Sequence, residues 1–104
     1  KVKVLDWKNI KIEGIANIEK CVGEFNVGEL LKTPYSKFKV KIFESQKGVY
    51  TGYTNLLIND DPGTGSGKSV EDALKETIEN FLEMINENQC DSEEDFNCAD
   101  PFDF

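Results

Sequence analysis

At Val70 the apolar spacing of this chain changes. Val70, Ala73, Leu74, Ile78, Phe81, Leu82 and Ile85 recur at three- and four-residue steps, which gathers them on one side of a helix. Glu71, Asp72, Lys75, Glu76, Glu79, Glu83 and Glu87 fill the opposite side. Ser69 stands where an N-cap hydroxyl accepts an orphan amide, and the early acids suit the positive end of the helix. The spacing predicts a helix over 70–87 with Leu74, Ile78, Phe81, Leu82 and Ile85 buried.

Upstream of that point the period is two, the period of a strand with one buried face. "KVKVLDW" sets Val2 and Val4 against lysines, and "NIKIEGIANIEKCVGEF" places Ile10, Ile12, Ala16, Ile18 and Val22 on one side. Gly14 or Gly23 marks a bend or bulge. "VGELLKTPY" has room for one helical turn before Thr33-Pro34 stops it. "KFKVKIF" alternates again, and "QKG" at 46–48 turns the chain into "VYTGYTNLLI" as a hairpin. The expectation is an α+β fold: an antiparallel β-sheet of four to five strands with one long C-terminal amphipathic helix packed on it. At 104 residues the chain makes one domain with a single modest core.

Charge divides the chain. Residues 1–88 hold all 12 lysines and 14 acids, a net of −2, whereas residues 89–104 hold six acids and no base. The expected organisation is a body over 1–88 and an acidic aromatic tail over 89–104. The formal net charge of −8 disfavours non-specific adhesion of the whole body to nucleic acid or anionic membrane. Every base is lysine, so the planar fork that reads guanine edges in a duplex is missing. No stretch approaches the roughly 18 apolar residues of a membrane span, and no charged-then-apolar leader opens the chain. A soluble, cytoplasmic protein is expected. Cys21, Cys90 and Cys98 are an odd, widely spaced set with no histidine to join them, so they are expected free and reduced, with no metal site and no cofactor.

"INDDPGTGSGKS", residues 58–69, invites a nucleotide reading. A phosphate loop requires G-x-x-x-x-G-K-[ST], because its amides wrap the phosphates while the lysine reaches over them. Gly67-Lys68-Ser69 supply the end of that pattern, but the first glycine falls due at Pro62. The segment is therefore expected to be a flexible connection capped by Ser69, with a helix start beside Lys68 as a weak anion site. With no histidine there is no Ser-His or Cys-His couple, and paired carboxylates on a polar helix face solvate it. No enzyme is expected.

Two stretches resemble known families. "KVKIFESQKGVYTGYTNLLINDDPGTGSGKSVEDALKETIENFLEMI" resembles the N-terminal domain of HicB-like antitoxins over about residues 38–86. There two strands lead through a loop into G-x-[ST]-x-E-[ED]-A-L at the start of a long helix. Gly67, Ser69, Glu71, Asp72, Ala73 and Leu74 stand at the matching places. The family's Pro-x-x-x-Gly-Cys loop and its DNA-binding extension are missing. The resemblance implies a small sheet-plus-helix domain that binds a protein. The acids followed by "ADPFDF" look like the C-terminal tip of single-stranded DNA-binding proteins, which docks partners through a phenylalanine and its carboxylate. Here the chain runs two residues past Pro101-Phe102.

Lys37, Lys39 and Lys41 form a row on one strand face, with Lys1 and Lys3 as a second row beside it. Tyr35, Tyr50, Tyr53 and Trp7 supply rings for stacking. The candidate nucleic-acid site is Lys37, Lys39, Lys41, Tyr50, Tyr53 and Trp7. The candidate partner site is Phe96, Asp100, Pro101, Phe102, Asp103 and Phe104, with Asp95 among the acids expected to meet a basic rim. Three phenylalanines in a stretch with no other large apolar side chain require a pocket, on this sheet, on a second copy or on a partner. The expected function is a non-enzymatic accessory protein of a phage or mobile element that binds single-stranded nucleic acid and recruits partners through its tail. The other reading is a small acidic inhibitor, antitoxin-like or anti-defence in kind, that covers a basic site on its target. Expected partners are thus a single strand or a basic protein, no membrane, and a second copy as a further possibility.

Overall fold

Phe38, Val40 and Ile42 alternate with three lysines, and that alternation is realised as a strand with one dry face. The computed structural model describes residues 6–100 and 104. Four strands lie side by side in chain order: β1 (Glu19–Gly28), β2 (Lys37–Ser45), β3 (Tyr50–Ile58) and β4 (Asp61–Gly67). Each pairs antiparallel with its neighbour. One 18-residue helix, α1 (Val70–Glu87), packs over β4 and β3 and only lightly over β2. The fold is α+β, with an antiparallel sheet of four long strands and a short fifth, β5 (Asn97–Cys98), paired with β3.

Turn chemistry explains the hairpins. Gly48 adopts φ +82° between β2 and β3, where the Ser45 hydroxyl accepts the amides of Lys47 and Val49. Asn59 and Asp60 both take positive φ, the conformation a two-residue hairpin loop requires and these residue types tolerate. They join β3 directly to β4. The expected flexible connection over 58–69 is thus an edge strand, and its glycines have a packing reason. A Cβ on Gly63 would stand 2.5 Å from the Phe81 Cβ, and one on Gly65 2.5 Å from the Thr77 amide nitrogen. With hydrogen in their place, α1 comes down onto β4.

That close approach sets which side of α1 is driest. Ala73, Thr77, Phe81 and Ile85 are buried at four-residue steps, while Leu74, Ile78 and Leu82 are half-buried beside them. Of the expected buried set, Phe81 and Ile85 are enclosed. Phe81 lies against Phe38, with ring centroids 4.9 Å apart, and burial of such a ring contributes about 1.5–3 kcal/mol. Thr77 is satisfied by donating to the Ala73 carbonyl at 2.7 Å. Ser69 caps the helix by accepting the Asp72 amide, as its position predicts. Two side chains of α1 also stopper the free edge of β4: Glu76 accepts the Ser66 amide and Asn80 donates to the Thr64 carbonyl.

One expected strand is corrected. Residues 10–18 form no strand, and Ile12 and Ile15 are 59% and 55% exposed. Asp6 caps a 3-10 turn over Trp7–Asn9, and Gly14 at φ +89° turns the chain, so the alternation there never meets a partner strand. Residues 29–36 hold turns and no helix, with Leu31 and Ser36 at positive φ. The alternation of Val2 and Val4, and the row of Lys1 and Lys3, lie outside the described residues. The charge boundary near residue 88 is also not a packing boundary. Cys90 and Phe96 belong to the core, and Phe96 sits edge-on to Phe81 at 6.5 Å.

β5 occupies a place that β2 vacates. Pairing of β2 with β3 ends at Val40 and Thr54, and Leu57 then pairs with Pro62 on one side and Asn97 on the other. The Thr54 hydroxyl bridges the irregularity this creates, donating to the Leu56 carbonyl and accepting the Gly63 amide, both at 2.8 Å.

Candidate nucleic-acid interface

Strand alternation sends successive side chains to opposite faces, and directly paired residues share a face. With Phe38, Val40 and Ile42 turned to α1, Lys37, Lys39, Lys41 and Phe43 point the other way. Lys41 pairs with Tyr53 on β3 and Glu24 on β1, so these two join that face. Asn55 and Leu57 continue the row along β3, and Asn26 pairs with Lys39 on β1. Alternate residues along a strand stand about 6.7 Å apart, so the lysines make a regular cationic ladder.

Four of the six candidate nucleic-acid residues therefore come together: Lys37, Lys39, Lys41 and Tyr53. Tyr50 pairs with Glu44 and faces the helix side, where it packs against the core. Trp7 is half-buried in the 3-10 turn beside the 45–49 turn, with its carbonyl accepting from Gln46, at the far end of β2 from Lys37. Phe43 is a residue that the sequence reading passed over, although the same alternation places it on the lysine face. Its ring meets Tyr53 edge-on at 5.9 Å.

The ladder is partly neutralised. Glu24 lies 3.9 Å from the Lys39 ammonium and 3.8 Å from that of Lys41. These are exposed pairs, each worth about 0–1 kcal/mol, and a polyanion displaces them readily. Lys37 makes no ion pair among the described residues. Elsewhere, Lys8 hydrogen-bonds Glu44, which raises its pKa and takes it out of the open face.

Ala99 and Phe104 also meet this part of the sheet. The Ala99 amide donates to the Asn55 carbonyl at 2.7 Å, and the Phe104 ring lies 4.7 Å from the Lys41 ammonium. A cleft of about 420 Å³ opens beside them, walled by Phe43, Tyr53, Leu57, Pro62 and Phe104. Asp100 is exposed, and its carbonyl accepts the Phe104 amide. Pro101, Phe102 and Asp103 lie outside the described residues.

Phe96 is committed to the core and Asp95 to its own turn. Phe96 is 5% exposed, held between Phe81 and Tyr35. The Asp95 carboxylate accepts the amides of Asp91 and Ser92 at 2.9 and 3.0 Å, and these bonds hold it below the ordinary carboxylate range. Burial first, then Asp95 and Asp91, push the Cys90 thiol up. Cys21 and Cys98 are exposed free thiols. Among the described residues no group of carboxylates and thiols is arranged to hold a metal ion, and no helix is long and apolar enough to cross a membrane. Comparison of the chain with family models, curated proteins and solved structures returned no match.

Proposed function

We propose that this chain is a non-enzymatic accessory protein that holds single-stranded nucleic acid across the open face of its sheet. The observation that carries the reading is the convergence of Lys37, Lys39 and Lys41 with Tyr53 and Phe43 on the face opposite α1. A cationic ladder tracks the phosphates, while exposed rings stack bases without demanding a sequence. The acids of α1 lie on the other side of the sheet, so the net charge of the whole chain does not describe the field above the lysines. Phe104 over Lys41 supports the same chemistry, since it places a ring where a base would lie.

Fluorescence anisotropy with a labelled single strand at several salt concentrations tests this. If each lysine neutralises one phosphate, the logarithm of affinity falls with that of salt at a slope of roughly −2, about 0.7 per contact. Lys37→Glu, Lys39→Glu and Lys41→Glu together abolish binding. A wild-type protein that binds no strand at about 100 µM refutes the reading.

A second reading is favoured by the opposite surface. Glu71, Asp72, Glu76, Glu79, Glu83 and Glu87 stand exposed on or beside α1 with Lys75 as the one base among them. Such a ridge suits a basic protein target, as an inhibitor with an acidic face would. Charge reversal of Glu79 and Glu83 separates the two readings, because it spares strand binding and weakens association with a basic partner.

A further inference from the structure

Where β2 and β3 part, the sheet leaves a second, smaller cleft of about 220 Å³. Tyr35, Phe38 and Leu56 form its apolar walls, Asn26 and Asn55 bring two carboxamides, and Lys37 and Lys39 flank it. Pairing of the two strands ends at Val40 and Thr54, so the Lys39 amide donates to the Asn55 side-chain oxygen at 2.8 Å. That bond fixes the carboxamide and leaves its NH2 as the polar group Asn55 offers to a ligand. The Tyr35 ring is held edge-on against Phe96 at 6.4 Å and remains 39% exposed.

We infer that this cleft takes one nucleobase of an anionic strand, with the attached phosphate on Lys37. The inference rests on the proposed use of the lysine face. Its volume lies below the roughly 300–1,000 Å³ of pockets that enclose drug-sized ligands, and it suits a single ring system. A purely apolar occupant leaves the Asn26 carboxamide and the Asn55 NH2 group facing no partner, which costs affinity. A nucleotide supplies all three complements at once: a flat ring for Tyr35, an edge of donors and acceptors for Asn26 and Asn55, and an anion for the lysine. The open sheet face is sequence-tolerant, whereas this cleft reads a base edge and confers a preference among the four bases.

Cys98 lines the same cleft and is exposed, Cys21 is exposed elsewhere, and Cys90 is buried, so the protein carries its own reporter and control. Iodoacetamide labelling, read by peptide mass spectrometry, is followed with each of the four nucleoside 5′-monophosphates at about 10 mM. One of them slows alkylation of Cys98 by about 5-fold or more without slowing Cys21, inorganic phosphate does not, and Tyr35→Ala removes the protection. Equal Cys98 rates, within about 2-fold, with and without all four nucleotides overturn the inference. Oligonucleotide binding separates it from the reading it rests on. Strand binding that needs the lysines yet ignores both Tyr35→Ala and base identity overturns the cleft and leaves the face standing. Cys98 protection by a mononucleotide in a protein that binds no strand supports a nucleotide cleft, overturns its occupation by a strand and ends the proposal for the face.

Discussion

Gly65→Ala is the most direct trial of how α1 meets the sheet. A methyl group there would stand 2.5 Å from the Thr77 nitrogen and 2.7 Å from the Glu76 carbonyl carbon, both main-chain atoms. Non-bonded carbons settle near 3.5–4.0 Å, so the helix must retreat by about 1 Å, and a gap of that size forfeits a quarter to a half of each dispersion contact. Thr77 and Phe81 are fully enclosed at this seam, and loss of that fraction from Phe81, worth about 1.5–3 kcal/mol, and from the smaller Thr77 removes about 0.5–2 kcal/mol. The bonds from Ser66 to Glu76 and from Asn80 to Thr64 lengthen too, at about 0.5–1.5 kcal/mol each. The expected total is about 2–4 kcal/mol, a fall in melting temperature of about 10–25 °C for a domain of this size. Gly28→Ala is the control, because its Cβ would meet nothing within 4 Å. Urea unfolding of both variants decides the matter. If Gly65→Ala lies within about 0.5 kcal/mol of Gly28→Ala, glycine is not what lets the helix down.

Three further outcomes follow from the same contacts. Thr54→Val leaves the Gly63 amide and Leu56 carbonyl without their bridge, which costs about 1–3 kcal/mol and speeds hydrogen exchange at Gly63; unchanged exchange refutes the bridge. Phe96→Ala costs about 3–5 kcal/mol, and a chain cut after Cys98 melts near the full-length protein while one cut after Gln89 melts well below it. Equal melting of the two truncations would show that residues 90–98 are not core. Asp95 is a carboxylate with a depressed pKa, so its contribution is full above its unfolded value and is lost as pH falls through the folded one. The Ser92 amide shift therefore holds constant where unperturbed carboxylates titrate and moves only at lower pH, and Asp95→Asn abolishes that movement.

Local signals were legible and long-range ones were not. The helix is written in the spacing from Val70 and in Ser69, both decided within a few residues. The β2–β3 hairpin is written in the alternation of 37–43 and in Gly48. β4 was misread because glycine ordinarily marks a loop, whereas Gly63, Gly65 and Gly67 answer to residues of α1 that follow later in the chain. A signal was present: the three recur at a period of two, and Ala73 and Thr77 are small where they meet. Phe96 was placed in a tail because its neighbours are acids, and charge is a poor guide when the backbone itself satisfies a carboxylate, as at Asp95. The lysine ladder was legible from alternation alone. Asn26 and Asn55 were not, since the parting of β2 from β3 depends on a strand near the end of the chain.

The unequal treatment of the sheet's two margins bears on how copies of this protein can meet. Polar side chains of α1 occupy hydrogen-bonding groups along β4, whereas β1 has β2 as its one strand partner among the described residues and carries a bulge at Val22. A sheet with two open margins propagates into a filament, each added copy presenting a fresh template. On β4 the Glu76 and Asn80 side chains close two of those hydrogen-bonding groups, which discourages edge-to-edge pairing along that margin. The glycines that let α1 down onto β4 therefore also guard that margin, because the same seating carries Glu76 and Asn80 to the strand edge.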